Sequence, residues 1–213
     1  MSPAESLLRD DMCRWGRSLF ERGLTPGASG NLSARLDDGF LVTPTNACLG
    51  FLDPPRLSKL DDAGRLMSGD PPTKEVPLHM AVYEARPKAG GVVHLHSTWA
   101  TALSCLSDLD TSDAIPAVTP YVVMRVGRVP VLPYLRPGSP DVRAPVLQAA
   151  HDHAAILLAN HGPVVSAPSF EAAVFAAEEV EEAAKLFFIL RGHSARALSP
   201  AQVAELETAF KLR

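Results

Sequence analysis

Apolar and polar positions follow two different periods along this chain, and the switches between them predict its elements. Over residues 4–23, Leu7, Leu8, Met12, Trp15, Leu19 and Phe20 recur at helical spacing, and Gly23 supplies a stop. Thr25-Pro26-Gly27-Ala28-Ser29-Gly30-Asn31 is a turn of small residues. The pattern then alternates. Residues 31–36 predict a strand, Asp37-Asp38-Gly39 a hairpin turn, and Phe40-Leu41-Val42-Thr43 the returning strand, closed by Pro44-Thr45-Asn46. Residues 47–70 read as irregular, with a short strand near 57–60 and a turn at 61–64. A helix is expected to open at Pro71-Pro72-Thr73-Lys74-Glu75 and run to about Glu84, with Thr73 as its cap and Glu75 in its positive first turn.

Gly91-Val92-Val93-His94-Leu95-His96-Ser97 is short, Val-containing and preceded by glycine, which predicts a strand; residues 98–107 predict a helix. Residues 122–131, interrupted by Gly127, read as strand. A helix is expected from Asp141 to about His153, capped by Ser139. Ala155-Ile156-Leu157-Leu158-Ala159 is uninterruptedly apolar, as a fully buried strand is, and Val164-Val165 continue it past Asn160-His161-Gly162. A long Ala- and Glu-rich helix from Ser169 to about Arg191 and a short one over 199–211 follow. Helices interspersed with short strands, some hairpin-linked, predict an α/β fold with a largely antiparallel or mixed sheet. No repeat or linker divides the chain, so residues 1–213 read as one domain.

Composition narrows the function more than the fold. The chain has 213 residues, 46% hydrophobic and 21% charged, ordinary values for a globular protein. A net charge of −4 without a basic block argues against nucleic acid or an anionic membrane as partner. No apolar run approaches the roughly 20 residues of a membrane span, and Met1-Ser2-Pro3-Ala4-Glu5 is not followed by the apolar stretch of a signal peptide. Cys13, Cys48 and Cys105 are odd in number and scattered, with no CxxC, which fits a reducing cytoplasm and argues against a thiolate zinc site.

The candidate chemistry centres on histidine. In a strand, His94 and His96 share a face, with Cα atoms roughly 6.6 Å apart, so two imidazoles can converge on one metal. An HxH alone is equally compatible with two half-buried histidines on a sheet face. His161, just past a buried strand, offers the third nitrogen, and three histidines with room for a carboxylate or substrate form the pattern of a catalytic rather than structural zinc site. Glu75 adds a carboxylate that can ligate metal or move protons. His151 and His153 are a control: the same spacing at a solvated helix end, where the rings diverge. His193 reads as a solvated residue. His79, four residues after Glu75 on one helical face, reads as a supporting contact or packed residue, with ligation left open. Three stretches suit an anion: Gly27-Ala28-Ser29-Gly30-Asn31, Thr43-Pro44-Thr45-Asn46, and Thr73-Lys74 at a helix N-terminus. Around a divalent metal they suggest a phosphorylated substrate.

In this order, Gly27-x-Ser29-Gly30-Asn31-Leu32-Ser33, Thr43-Pro44-Thr45, Glu75, His94-x-His96 and Asn160-His161-Gly162 resemble the class II aldolase/adducin family. The resemblance implies a single α/β/α domain around a central, mostly antiparallel sheet flanked by helices, assembled as a C4 homotetramer. It implies one Zn2+ per subunit, or another divalent metal, on His94, His96 and His161. Glu75 becomes the acid/base residue and a further metal contact, and Gly30, Asn31, Thr45, Thr73 and Lys74 line the phosphate site. Pro72-Thr73-Lys74-Glu75, Val93-His94-Leu95-His96-Ser97-Thr98, Leu103-Ser104-Cys105-Leu106, the run from Pro120 to Gly127, and Pro133-Tyr134-Leu135-Arg136-Pro137-Gly138 resemble, more closely, the branch that decarboxylates 3-oxo-tetronate 4-phosphate to dihydroxyacetone phosphate and CO2. Lys74 departs from the aldolase branch, which has a small hydroxyl residue there. That branch also carries a C-terminal tail with a catalytic tyrosine; this sequence ends at Lys211-Leu212-Arg213 with no tyrosine there.

That chemistry suits the residues. Loss of CO2 from a β-keto acid leaves electrons at C2 as an enediolate, which a Lewis-acidic zinc stabilises. Glu75 handles the proton. Lys74 or Arg125 can hold the anionic ends of the substrate, and Tyr121 can donate a proton, in its own site or across a subunit interface; a half-buried interface tyrosine and a surface ion-pair arginine are the plainer readings. The alternatives are a zinc-dependent sugar-phosphate aldolase of the fuculose-phosphate type, or an epimerase, sharing the same enediolate logic. A non-catalytic adducin-like binding protein fits less well, because His94, His96, His161 and Glu75 are all present.

Overall fold

The computed structural model describes residues 2–210; the terminal Lys211-Leu212-Arg213 lies outside the described residues. An amphipathic helix, α1 (Pro3–Glu21), comes first, with Ser2 accepting the Glu5 N–H at its start. Among the described residues eight strands form one sheet: β1 (Asn31–Leu36), β2 (Gly39–Val42), β3 (Ser58–Leu60), β4 (Leu66–Ser68), β5 (Gly91–His94), β6 (Val131–Leu132), β7 (Ala155–Leu158) and β8 (Gly162–Ala167). Their order is β4-β3-β2-β1-β5-β8-β7-β6, with every pair antiparallel except β6 with β7. Helices α2 (Val76–Ala85), α3 (Thr98–Ser104), α4 (Pro120–Arg125), α5 (Arg143–Asp152), α6 (Phe170–Leu190) and α7 (Pro200–Ala209) cover its faces.

The period-two alternation of the strands builds a separate core on each face. Leu32, Leu41, Val93, Ala155, Leu157 and Val165 face α1, α3, α4 and α6. Phe40, Val42, Val92, Ile156, Leu158 and Val164 face α2 and α5. Leu32 and Leu157 are wholly buried, and burying such a side chain contributes roughly 1.5–3 kcal/mol. The three-layer α/β/α arrangement with a mostly antiparallel sheet agrees with expectation.

Four local expectations are corrected. Residues 122–131 are not one strand, only Val131 lying in β6: Thr119 caps α4 by accepting the Val122 N–H, Pro120 presets its first turn, and Gly127 at φ 74° ends it. Its valines (Val122, Val123 and Val126) sit at helical spacing and bury together with α6. Val164-Val165 do not continue the preceding strand. Asn160 at φ 56° and Gly162 turn the chain back, so they lie in β8, antiparallel to β7. The helix expected from Thr73 starts at Val76, with Glu75 at its cap position. Thr73 still accepts the Glu75 N–H, but the bridge between Pro72 and Pro44 and the bond from the Thr73 N–H to the Thr43 carbonyl keep 72–73 paired with the 43–44 segment. Residues 66–68 form the edge strand β4, which their short mixed pattern concealed. Ser139 does cap, but it caps a 3-10 turn that leads into α5.

A buried ion network ties α1 to β3 and the segment that leads into it. Arg9, 2% exposed, donates to Glu5 Oε1 at 2.9 Å and to the carbonyls of Pro54 and Leu57 at 2.7 and 2.9 Å. Lys59 on β3 donates to Glu5 Oε2 at 3.0 Å. Removing one member of a buried pair leaves the other charge uncompensated. Glu5→Ala is therefore expected to cost ~3 kcal/mol or more of unfolding free energy. Asp11→Ala, which breaks the exposed Arg14–Asp11 pair, should leave the denaturation midpoint close to that of the parent. Equal shifts in chemical denaturation would show that the buried network contributes no more than the surface pair.

Candidate metal centre

β1 and β5 pair so that Asn31 lies opposite His94 and Ser33 opposite Val92. Alternation then turns Asn31, Ser33 and His94 toward α2. Strand geometry ends at His94, so His96 projects from the segment just beyond it. That segment stays close to the sheet because the Leu95 N–H donates to the Pro163 carbonyl at 3.2 Å. Its far end is held by α3, whose first N–H groups, those of Trp99 and Ala100, donate to the buried Glu181 carboxylate at 2.9 and 2.8 Å. His161 sits in the turn between β7 and β8. Gly162 permits that turn: at φ 147° its Cα approaches the Leu95 carbonyl so closely that a Cβ would lie 2.4 Å from the oxygen. Glu75 enters from the start of α2.

The four side chains converge. His94 Nε2 lies 3.2 Å from His96 Nε2 and 3.3 Å from His161 Nε2. Glu75 Oε2 lies 3.3 Å from His94 Nε2, and Oε1 3.7 Å from His161 Nε2. All four candidate ligand atoms fall within 4.8 Å of one another. The His94 Nδ1 donates to the Pro163 carbonyl at 2.8 Å, so its Nε2 carries a lone pair toward the carboxylate. Two lone pairs facing each other at 3.3 Å repel unless a positive centre lies between them. A tetrahedral ion with bonds of roughly 2.0–2.1 Å would space its ligands by roughly 3.3 Å. The donor set therefore fits a zinc-like divalent cation.

Electrostatics agree with that fit. Burial pushes the His94 imidazole down to about 4 and also lowers His96 and His161. Burial opposes ionisation of Glu75, but the hydrogen bond from the Asn31 amide favours it, and its carboxyl lies below the usual value. Neutral imidazoles beside an ionised carboxylate are the protonation states a metal requires.

Of the anion-suited residues, several do assemble beside Glu75. The stretches 43–46 and 71–74 run together: the Thr45 N–H donates to the Pro71 carbonyl at 2.9 Å, and the Thr73 N–H to the Thr43 carbonyl at 3.1 Å. Thr73 Oγ1 accepts the Glu75 N–H at 3.3 Å. Lys74 is exposed and has no ion-pair partner among the described residues. Gly30, at φ 75°, lies against the His94 carbonyl, where a Cβ would come within 3.0 Å. Ser29 turns its hydroxyl to the Pro26 carbonyl at 2.6 Å. Thr45 and Asn46 line a cavity of about 290 Å3 with Arg56 and Asp70, which includes none of the four candidate ligands. Tyr121 is exposed on α4 beneath the Arg125 guanidinium, whose carbon lies 5.8 Å from the ring centre. The structure gives neither Tyr121 nor Arg125 a contact with the histidine cluster.

Asn31 stands closer to the chemistry than a phosphate-lining residue: its Nδ2 donates to Glu75 Oε2 at 2.8 Å. Behind it lie His79, expected as a supporting contact, and Ser33 and Tyr83, for which the sequence alone suggested no role. His79 Nε2 meets Asn31 Oδ1, and His79 Nδ1 meets Ser33 Oγ at 2.6 Å. Ser33 Oγ meets Tyr83 OH at 3.0 Å. The signal was present as two periods: Glu75, His79 and Tyr83 at i, i+4 and i+8, facing Asn31 and Ser33 at i and i+2. Elsewhere, His151 is exposed and paired with Asp152, and His193 is exposed.

Comparison with known proteins agrees with this geometry. Residues 10–188 match the class II aldolase and adducin N-terminal domain. The chain is 51% identical over 205 residues to a 3-oxo-tetronate 4-phosphate decarboxylase of Escherichia coli, covering 96% of this chain and 97% of that protein. It is 35% identical to an L-fuculose phosphate aldolase of Escherichia coli, over 78% of this chain and 75% of that one. The crystal structure of YgbL from Escherichia coli superposes with a TM-score of 0.93 at 50% identity, covering 95% of this chain and 99% of the other. With the family domain spanning most of its length, the chain belongs to the class II aldolase and adducin family.

Proposed function

We propose that this chain is a metal-dependent lyase that decarboxylates 3-oxo-tetronate 4-phosphate to dihydroxyacetone phosphate and CO2. One observation carries the reading: three imidazoles and a carboxylate whose ligand atoms lie within 4.8 Å of one another, in a chain half-identical over nearly its whole length to proteins of that activity. The aldolase relatives are less similar, and Lys74 beside Glu75 supplies a cation suited to an acid substrate.

His94, His96 and His161 would hold the ion, with Glu75 within reach of it; we take it to be Zn2+, one per subunit. When bound, it supplies Lewis-acid stabilisation of negative charge developing on substrate oxygen. The C1–C2 bond breaks, C1 leaves as CO2, and the electron pair stays on C2 and the 3-oxo oxygen. One proton is consumed at C2. Glu75, ionised at rest, takes that proton from solvent and passes it to C2. Gly30, Thr45, Asn46, Thr73 and Lys74 would bind the phosphate and carboxylate ends, with Ser29 shaping the turn beside them and the Asn31 amide committed to Glu75. Tyr121 and Arg125, remote from the cluster in their contacts, would act only at a neighbouring subunit's site. A single domain over 1–213, assembled as a C4 homotetramer in the cytoplasm, completes the reading. Phe51, 78% exposed, and Tyr134, 60% exposed, offer apolar surface to such an assembly, and three free cysteines suit a reducing compartment.

Metal analysis of purified protein should find about one divalent ion per chain. A metal-free preparation that keeps full activity would overturn the mechanism. Glu75→Gln is expected to retain the ion on the three imidazoles while kcat falls by roughly 10²-fold; near-normal turnover would remove Glu75 from proton transfer. Incubation with 3-oxo-tetronate 4-phosphate should release CO2 and dihydroxyacetone phosphate in equal amounts. Failure to release CO2, with cleavage of a ketose 1-phosphate to an aldehyde instead, would favour an aldolase.

A further inference from the structure

The hydrogen bonds behind Glu75 have only one consistent direction. The carboxylate can only accept, so Asn31 must present its Nδ2 to it at 2.8 Å. The Asn31 Oδ1 is then an acceptor, and His79 Nε2 must carry the proton that meets it. His79 is 1% exposed, and burial holds its imidazole neutral, with its pKa down at about 3. A neutral ring protonated at Nε2 accepts at Nδ1, so the Ser33 hydroxyl donates to it across 2.6 Å. Ser33 Oγ in turn accepts from Tyr83 OH at 3.0 Å. Tyr83 is anchored by its ring, 4.6 Å from that of Phe40, and by the Arg35 guanidinium 4.7 Å above it. Every donor in this buried row points toward Glu75.

An asparagine amide alone can flip and present its oxygen instead. Oxygen facing a carboxylate repels it, and the carboxylate would swing away from the imidazoles. The proton on His79 Nε2 opposes the flip from behind, and the hydroxyl of Ser33, by donating to Nδ1, keeps that proton on Nε2. We propose that His79 is a positioning residue, whose Nε2–H locks the Asn31 amide and thereby holds the Glu75 carboxylate in line with His94 and His161. The inference rests on the proton-transfer role proposed for Glu75.

Two measurements test it. The first needs no turnover: long-range 1H–15N spectra of 15N-histidine-labelled protein should show His79 as the Nε2–H tautomer. The Nδ1–H tautomer would overturn the inference. The second is kinetic. His79→Leu should lower kcat toward ~10²-fold, the scale of a misplaced catalytic group, with KM changed far less. In a Glu75→Gln background it should cost nothing further, since its effect passes through that carboxylate. Losses that multiply in the double variant, or a kcat equal to the parent's, would overturn the inference. Should His79→Leu fail to fold, Ser33→Ala is read by the same two criteria. Should the unsubstituted protein not release CO2 from 3-oxo-tetronate 4-phosphate, the functional reading fails and the tautomer decides the inference alone.

Discussion

The antiparallel pairing of β1 with β5 places Asn31 opposite His94, and the site depends on that register. Strand side chains alternate, so a slip of one residue would turn His94 into the apolar core and Val93 toward Glu75. The register is held on both sides. Leu32 and Val93, opposite each other, are wholly buried in one core, and Val92 is wholly buried in the other. The same hydrophobic alternation that stabilises the sheet thus aims the polar residues. β8 repeats the arrangement on the other flank, pairing His94 with Val164 and accepting its Nδ1 proton through the Pro163 carbonyl.

Charge is concentrated where burial is deep. Glu75 enters between three imidazoles that burial keeps neutral, and the Asn31 amide favours its ionised form against its own desolvation. Such a set is costly to hold without a cation, because its lone pairs face one another. The surrounding fold supplies rigidity: two short turns, at 27–31 and 159–162, and α2 and α3, whose starts lie beside Glu75 and His96. The Glu181 carboxylate caps α3 from another helix. It steadies the chain only three residues beyond His96, yet comes from a residue more than 80 positions further along.

Much of this was legible from residue patterns. Both ends of β1, the hairpin at 37–39 and the long helices α1 and α6 follow from periodicity and turn chemistry, while His94, His96, His161 and Glu75 stood out as candidates that the family resemblance joined into one set. The misreadings share a cause. The 122–131 run is rich in β-branched residues, and local propensity favours a strand there. The Thr119-Pro120 cap and the apolar surface of α6 make it a helix. At 160–162, two residues with left-handed or glycine-only backbone reverse the chain, which an apolar run on both sides does not announce. Thr73 accepts the Glu75 N–H as a cap would, but regular helix begins only at Val76, because residues 72–73 pair across the fold with 43–44.

The sequence by itself determined which residue types were available and on which face of each element they lie, because side-chain direction follows from a period of two or 3.6. That sufficed for the layer architecture, the three imidazoles and the family. Only the tertiary structure decided what those faces meet. His79, an ambiguous histidine on a helix, became the partner of Asn31 because α2 lies across β1 in one register. Asn31, an anion-suited turn residue by motif, became the hydrogen-bond donor to Glu75 for the same reason. Tyr121, a candidate proton donor by chemistry, was placed on an exposed helix away from the cluster's contacts. Contacts between residues far apart in the chain depend on packing, and no local period encodes them.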